Sequence, residues 1–198
     1  MRDNNIVIKQ VSKQTGILYF KNIVCKVWLG ENGTTVDKIE GDLKTPLGKF
    51  DLGIVFGFHD RNEIKINDEI EYVRITDSMF WDCDVNSRTY NRLIDDKIRN
   101  MDGLNNFEHL VDYPIEYEYA IEIKTNPMQV LNKGSAIFLH CYNDKPTKGC
   151  IAVEKNNLIS LIKEIDMRTG ILVTKWNQVS QWGRGNLDEK AGGRPPVI

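Results

Sequence analysis

The chain lacks the features that would tie it to nucleic acid, to a bilayer or to a metal. Its 26 Lys and Arg against 28 Asp and Glu leave a formal charge of −2, so there is no electrostatic case for nucleic acid or for an anionic membrane surface. No apolar run approaches the roughly eighteen residues that a membrane-crossing helix needs. The opening Met1-Arg2-Asp3-Asn4-Asn5 lacks the apolar core of a secretion signal, so no leader is read there. Cysteine is scarce too. The four, Cys25, Cys83, Cys141 and Cys150, show no C-x-x-C spacing, so no zinc site is expected and they read as free thiols. No internal repeat or low-complexity segment occurs. Nothing points to a cofactor.

What is present is an ordinary globular composition, 41% hydrophobic and 27% charged over 198 residues, enough for one domain with a buried core. Short β-branched and aromatic runs dominate. Strands are expected at 6–11, 16–20, 24–28, 50–58 and 171–176, with the Gly30-Glu31-Asn32-Gly33 turn leading into 34–36. Residues 64–66 and 70–75 flank Asn67-Asp68 as a hairpin would. Residues 115–123 alternate most cleanly, and their glutamates 116, 118 and 122 read as a solvated face. Residues 93–109 read as loop or short helix. One helix is expected, over about 154–167, from Leu158, Leu161, Ile162 and Ile165 at helical spacing, with Gly170 as its stop. The tail from Gly183 is rich in Gly and Pro. The organisation expected is one mainly β domain over 1–182, built as a sandwich of two sheets with one helix, and a tail over 183–198.

Residues 134–162 carry the chemistry. An apolar strand ends at His140, one of only three histidines. Side chains alternate across a strand, so His140 and Cys141 point to opposite faces, which leaves Cys141 to packing and His140 available. The loop that follows, with Asn143, Asp144 and Pro146, can fold back and bring Cys150 beside His140. An imidazole next to a thiol makes a nucleophile by taking its proton. Gly149 leaves room for a carbonyl carbon to approach the sulfur and for backbone N–H groups to face an oxyanion. By spacing alone, a buried strand histidine with an inert cysteine is the commoner outcome of such a pattern.

Three blocks of residues together resemble the L,D-transpeptidase (YkuD-like) catalytic domain. The first is Ile137-Phe138-Leu139-His140 followed by Pro146-Thr147-Lys148-Gly149-Cys150-Ile151-Ala152. The second is Gly41-Asp42-Leu43-Lys44-Thr45-Pro46-Leu47-Gly48-Lys49-Phe50, similar to the family's G-D-x-x-T-P-x-G-x-F segment. The third is Phe80-Trp81-Asp82 with Tyr90-Asn91, similar to the W-x-D and Y-N elements of a branch with a short His-to-Cys loop and a P-T-x-G-C motif. Lys148 stands where many members carry a second histidine, and Ala152 where they carry Asn or Arg; both agree with the short-loop branch. The resemblance implies a β-rich catalytic domain that acts without metal or cofactor on peptidoglycan stem peptides, with Cys150 as nucleophile, His140 as acid and base, and Gly149 at the oxyanion. Thr147, Lys148, Trp81, Tyr90 and Asn91 are then candidate substrate-side or supporting residues. It also implies β-lactams of the carbapenem type as covalent inhibitors and a monomeric enzyme. Whether the acyl group goes to a second stem peptide or to water stays open. So does location: a wall substrate points outside the cytoplasmic membrane, whereas the missing leader fits the cytoplasm. A non-catalytic wall-binding module and an unrelated cysteine peptidase are the competing readings.

Overall fold

The computed structural model describes residues 4–96 and 105–176; the tail expected from Gly183 lies outside them. The chain runs through β1 (Asn5–Gln10), β2 (Thr15–Phe20), β3 (Ile23–Trp28), β4 (Thr34–Thr35), β5 (Thr45–Pro46), β6 (Gly48–Gly57), β7 (Tyr72–Arg74), β8 (Met79–Asp82), β9 (Arg92–Asp95), β10 (Phe107–His109), β11 (Tyr119–Ile123), β12 (Phe138–Cys141), β13 (Ile151–Val153), α1 (Lys155–Glu164) and β14 (Gly170–Lys175). Mainly β with one α-helix is therefore the observed class. The sandwich is not what forms. One sheet runs β11-β12-β13-β3-β2-β1-β14-β6-β7, and the further pairing of β6 with β11 closes it on itself. Closure removes two open edges that a sandwich would have to protect.

Alternation along the strands sorts side chains between the two faces of this sheet. Ile6, Ile8, Leu18, Val27, Val55, Ile121, Leu139, Cys141, Ile151 and Val153 form one buried cluster, which α1 joins through Leu158, Leu161 and Ile162. At 10 residues α1 is too short to persist alone, so this packing holds it, helped by Glu154, whose side chain caps the Asn157 N–H at 3.2 Å. Gly170 does not stop the helix. It ends at Glu164, and an Asp166 to Thr169 turn leads Gly170 into β14.

The opposite face of β6, β11 and β12 carries a second cluster: Phe56, Ala120, Ala136, Phe138 and Cys150 pack against Trp81, Cys83, Leu110 and Tyr117. Here the small sheet β10-β8-β9 leans on the closed one. Phe138 meets the Phe56, Trp81 and Tyr117 rings edge-on, at centroid distances of 5.1, 4.8 and 5.6 Å. Burying each such aromatic stabilises the fold by about 1.5–3 kcal/mol. Of residues 93–109, expected as loop or short helix, 97–104 lie outside the described residues, and the others carry β9 and β10 of this sheet. The hairpin expected around Asn67-Asp68 does not form. The Arg61 guanidinium donates to the Ile70 and Asn67 carbonyls at 2.7 and 2.8 Å, doing the work of a partner strand, and Ile64, Ile66 and Ile70 bury as a folded loop. Only 119–123 of the expected 115–123 strand is extended, because 114–117 turn to carry Tyr117 into the second cluster.

Candidate active site

Strands β12 and β13 are parallel neighbours in the register Leu139 to Ile151 and His140 to Ala152. Continued by one step, that register sets Cys150 opposite Phe138. With alternation, His140 and Cys150 share the outer face of adjacent strands, offset by two residues, a diagonal of roughly 7–8 Å between Cα atoms. Cys141 faces the other way, within the inner cluster. Both His140 and Cys150 line a cavity of about 190 Å³ with Glu31, Glu108, Tyr117, Thr147 and Lys148.

His140 is 6% exposed. Its Nδ1 lies 2.7 Å from the Cys141 carbonyl. A carbonyl can only accept, so Nδ1 carries the proton and Nε2 keeps its lone pair. Burial pushes the imidazole below its ordinary range, against the Cys141 carbonyl and Glu116. The resting ring is a neutral base. Tyr117 stands edge-on to it at 5.8 Å.

Cys150 is 8% exposed. Its Sγ–H donates to the Ala136 carbonyl at 3.1 Å, and Sγ accepts the Phe138 N–H at 3.3 Å. Burial pushes this thiol well above the usual range and Glu108 adds to it, while the Phe138 N–H and Lys38 act the other way. Neither Cys150 nor His140 hydrogen-bonds the other in this resting arrangement. A neutral thiol beside a neutral imidazole suits a proton transfer coupled to attack by the sulfur. That is general-base activation, distinct from a standing thiolate–imidazolium pair.

The turn before Cys150 is pinned from two sides. Thr147 Oγ1 donates to the Cys150 carbonyl at 2.7 Å and accepts the Gly149 N–H at 3.2 Å. Thr45 Oγ1 donates to the same carbonyl at 3.1 Å and accepts the Gly30 N–H at 2.8 Å. Gly149, at φ +141°, holds a conformation that side chains rarely adopt. Its N–H, the expected oxyanion donor, is thus occupied by Thr147 at rest. Lys148 is exposed at the cavity wall, near enough to Glu108 to act on its charge.

Trp81, Tyr90 and Asn91 do not line the cavity; they stand behind it. Trp81 Nε1–H donates to Asn91 Oδ1 at 2.9 Å, and Asn91 Oδ1 also accepts the Ala136 N–H at 3.1 Å. The Tyr90 hydroxyl donates to Glu40 at 2.5 Å, and the Ser135 hydroxyl donates to the same oxygen at 2.7 Å. All three residues therefore hold the segment that enters β12.

Four further residues shape the site, three of them unmarked by any pattern in the sequence. Glu108 accepts a short hydrogen bond from the Tyr117 hydroxyl, and burial holds its carboxyl above the ordinary range. Lys38 pairs with Asp42, their side chains 9% and 14% exposed, and lies under Gly134 and Gly149. Each is a single polar residue in a polar stretch, without spacing or period to mark it, and Tyr117 looked like any strand aromatic. Thr45 was visible inside its block, though not its contact with Cys150. Among the described residues, no group of His, Cys, Asp and Glu could hold a metal ion, and all four cysteines are free.

No family model and no curated protein matches the chain. Among solved structures, it is similar to L,D-transpeptidase 1 of Mycobacterium tuberculosis, with a TM-score of 0.36 and 14% identity. The match covers 86% of this chain and 62% of that one. A likeness this loose carries no argument of its own about the reaction, which has to be read from the residues of the site.

Proposed function

We propose that this chain is a cysteine-dependent acyltransferase of the L,D-transpeptidase kind, acting on peptidoglycan stem peptides. The observation that carries the reading is convergence. His140 and Cys150 share one cavity, Thr45 of the second block pins the Cys150 carbonyl, and Asn91 of the third holds Ala136, whose carbonyl accepts the thiol. Segments as far apart as Thr45 and Cys150, separated by 105 positions, thus meet around one cysteine.

In this reading, a donor stem peptide enters with the carbonyl between its third residue and a terminal D-amino acid next to Sγ. The thiol proton passes to His140 Nε2 as sulfur bonds to the carbonyl carbon. The resulting oxyanion is met by backbone N–H groups of the 149–150 turn, that of Gly149 exchanging Thr147 for the substrate. When the C–N bond breaks, His140 returns its proton to the departing amine, leaving a thioester on Cys150. An acceptor amine then loses a proton to His140 as it attacks the thioester, and the thiol is restored. If the acceptor is the side-chain amine of a second stem peptide, the product is a 3-3 crosslink; if it is water, the product is a trimmed tripeptide. In the same reading, Lys148, exposed at the cavity wall, meets a substrate carboxylate.

Incubation with purified disaccharide-tetrapeptide, beside Cys150→Ala, tests this. A crosslinked dimer that requires Cys150 supports transpeptidation, and tripeptide alone supports carboxypeptidase activity. No Cys150-dependent product in either form overturns the reading.

A further inference from the structure

Two non-glycine residues near the site, Asn91 at φ +58° and Ala136 at φ +51°, sit in the left-handed region, a conformation that persists only where its surroundings enforce it. They are bonded to each other. Both polar atoms of the Asn91 side chain are engaged: its Oδ1 accepts from Trp81 Nε1–H and from the Ala136 N–H, and its Nδ2 donates to the Asn126 carbonyl at 3.1 Å. Asn126, 5% exposed, in turn donates to the Val130 and Gly134 carbonyls at 2.9 and 3.0 Å.

Both protein partners of the Cys150 sulfur hang from this assembly. The Ala136 carbonyl, which accepts the thiol hydrogen bond, belongs to the residue whose N–H is fixed by Asn91. Phe138, whose N–H reaches Sγ, has its ring edge-on to Trp81 at 4.8 Å. Trp81 is 3% exposed and also stacks on Phe56 at 6.5 Å. Neither Trp81 nor Asn91 can touch a substrate in the cavity, yet together they fix the direction of the sulfur's donor and acceptor bonds.

We propose that Asn91, braced by Trp81, is a positioning residue that keeps the Cys150 S–H directed at the Ala136 carbonyl and away from His140 until substrate binds. The resting enzyme then carries a quiet thiol, and the proton turns toward His140 Nε2 only with the carbonyl carbon in place. This rests on the reading of Cys150 as nucleophile, but its test needs no substrate.

The test is the rate of Cys150 alkylation by iodoacetamide from pH 7 to 10, mapped by peptide mass spectrometry, with Cys25 as internal reference and thermal melting as a fold control. Asn91→Ala removes the acceptor that fixes Ala136. Asn91→Asp keeps acceptor oxygens for both Trp81 and Ala136. Trp81→Phe keeps an aromatic ring edge-on to Phe138 but loses the N–H together with the second ring of the indole. The expected result is a rate at pH 8 at least threefold above the parent and a lower pH midpoint at Cys150 for Asn91→Ala, a smaller shift the same way for Trp81→Phe, and little change for Asn91→Asp. Unchanged Cys150 rates, an equal rise at Cys25, or an Asn91→Asp variant as fast as Asn91→Ala would each overturn the proposal. If Asn91→Ala does not fold, the Trp81→Phe and Asn91→Asp pair decides the same point. Failure of any variant or parent to turn over muropeptides leaves this readout intact, so the two readings fail separately.

Discussion

Replacing Gly149 by Ala isolates how the backbone presents Cys150. At φ +141° an added Cβ would lie 3.2 Å from the Lys44 carbonyl, 3.3 Å from Ile137 Cδ1 and 3.4 Å from Lys38 Nζ. The conformation itself costs an L-residue about 1–3 kcal/mol, and crowding against a carbonyl and a partly buried, ion-paired lysine adds about 1 kcal/mol or more. Lost freedom in the unfolded chain returns about 0.4–1 kcal/mol. The net is a destabilisation of about 2–3 kcal/mol, or a fall of about 5–10 °C in melting temperature for a chain of this size. Gly41→Ala is the control, because Gly41 has φ +73° but nothing within 4 Å of an added Cβ; it should cost about 1–2 kcal/mol from the backbone alone. Activity separates the two further. A displacement of Sγ by about 1 Å costs up to about 100-fold in turnover, so Gly149→Ala should lose kcat while Gly41→Ala keeps it. Urea titration, melting and turnover are the assays. A Gly149→Ala protein as stable and as active as the parent would mean that the backbone at Gly149 does not set the position of Cys150.

Other consequences follow from the same contacts. Burial depresses the His140 pKa, so below about pH 6.5 the unfolded chain binds a proton that the folded one resists. Stability should fall as pH drops from 7 toward 5, and a His140→Asn variant should show a flatter urea midpoint over that range. Glu108 is among the groups that hold the Cys150 thiol in its neutral form; Glu108→Gln should speed alkylation of Cys150 at fixed pH, and slower alkylation would contradict this. Asp42→Asn strands Lys38, whereas Lys38→Met leaves Asp42 with the Ile39 and Lys44 N–H groups at 3.1 and 2.8 Å. The first should therefore cost more stability, about 2–4 kcal/mol, with part recovered in the double variant, as read by urea midpoints. Cys141→Ala, on the inner face, should cost about 1 kcal/mol and leave turnover unchanged.

Local pattern carried the parts of this molecule that depend on neighbours in sequence. Alternation separated His140 from Cys141, turn residues announced the return of the chain to Cys150, and helical spacing found Leu158, Leu161 and Ile162. What local pattern does not encode is closure. The pairing of β6 with β11 joins segments some sixty to seventy residues apart, and nothing in either strand says whether the sheet will close or stack. The same holds for the supports of the site. Asn91 meets Ala136 across 45 positions and Ser135 meets Glu40 across 95, each through one polar side chain whose partner only the fold selects. Trp81 and Asn91 were marked by resemblance as belonging near the site, but that signal could not say that they brace the segment behind the sulfur.

In the proposed reaction Cys150 carries the acyl group. The most direct measurement is the intact mass of the protein, acid-quenched during turnover of disaccharide-tetrapeptide, with peptide mapping of any adduct. The expected result is a thioester adduct on Cys150 alone, absent from Cys150→Ala and slow to form in His140→Asn. Product formation by Cys150→Ala, or an adduct on another residue with Cys150 unmodified, would contradict it.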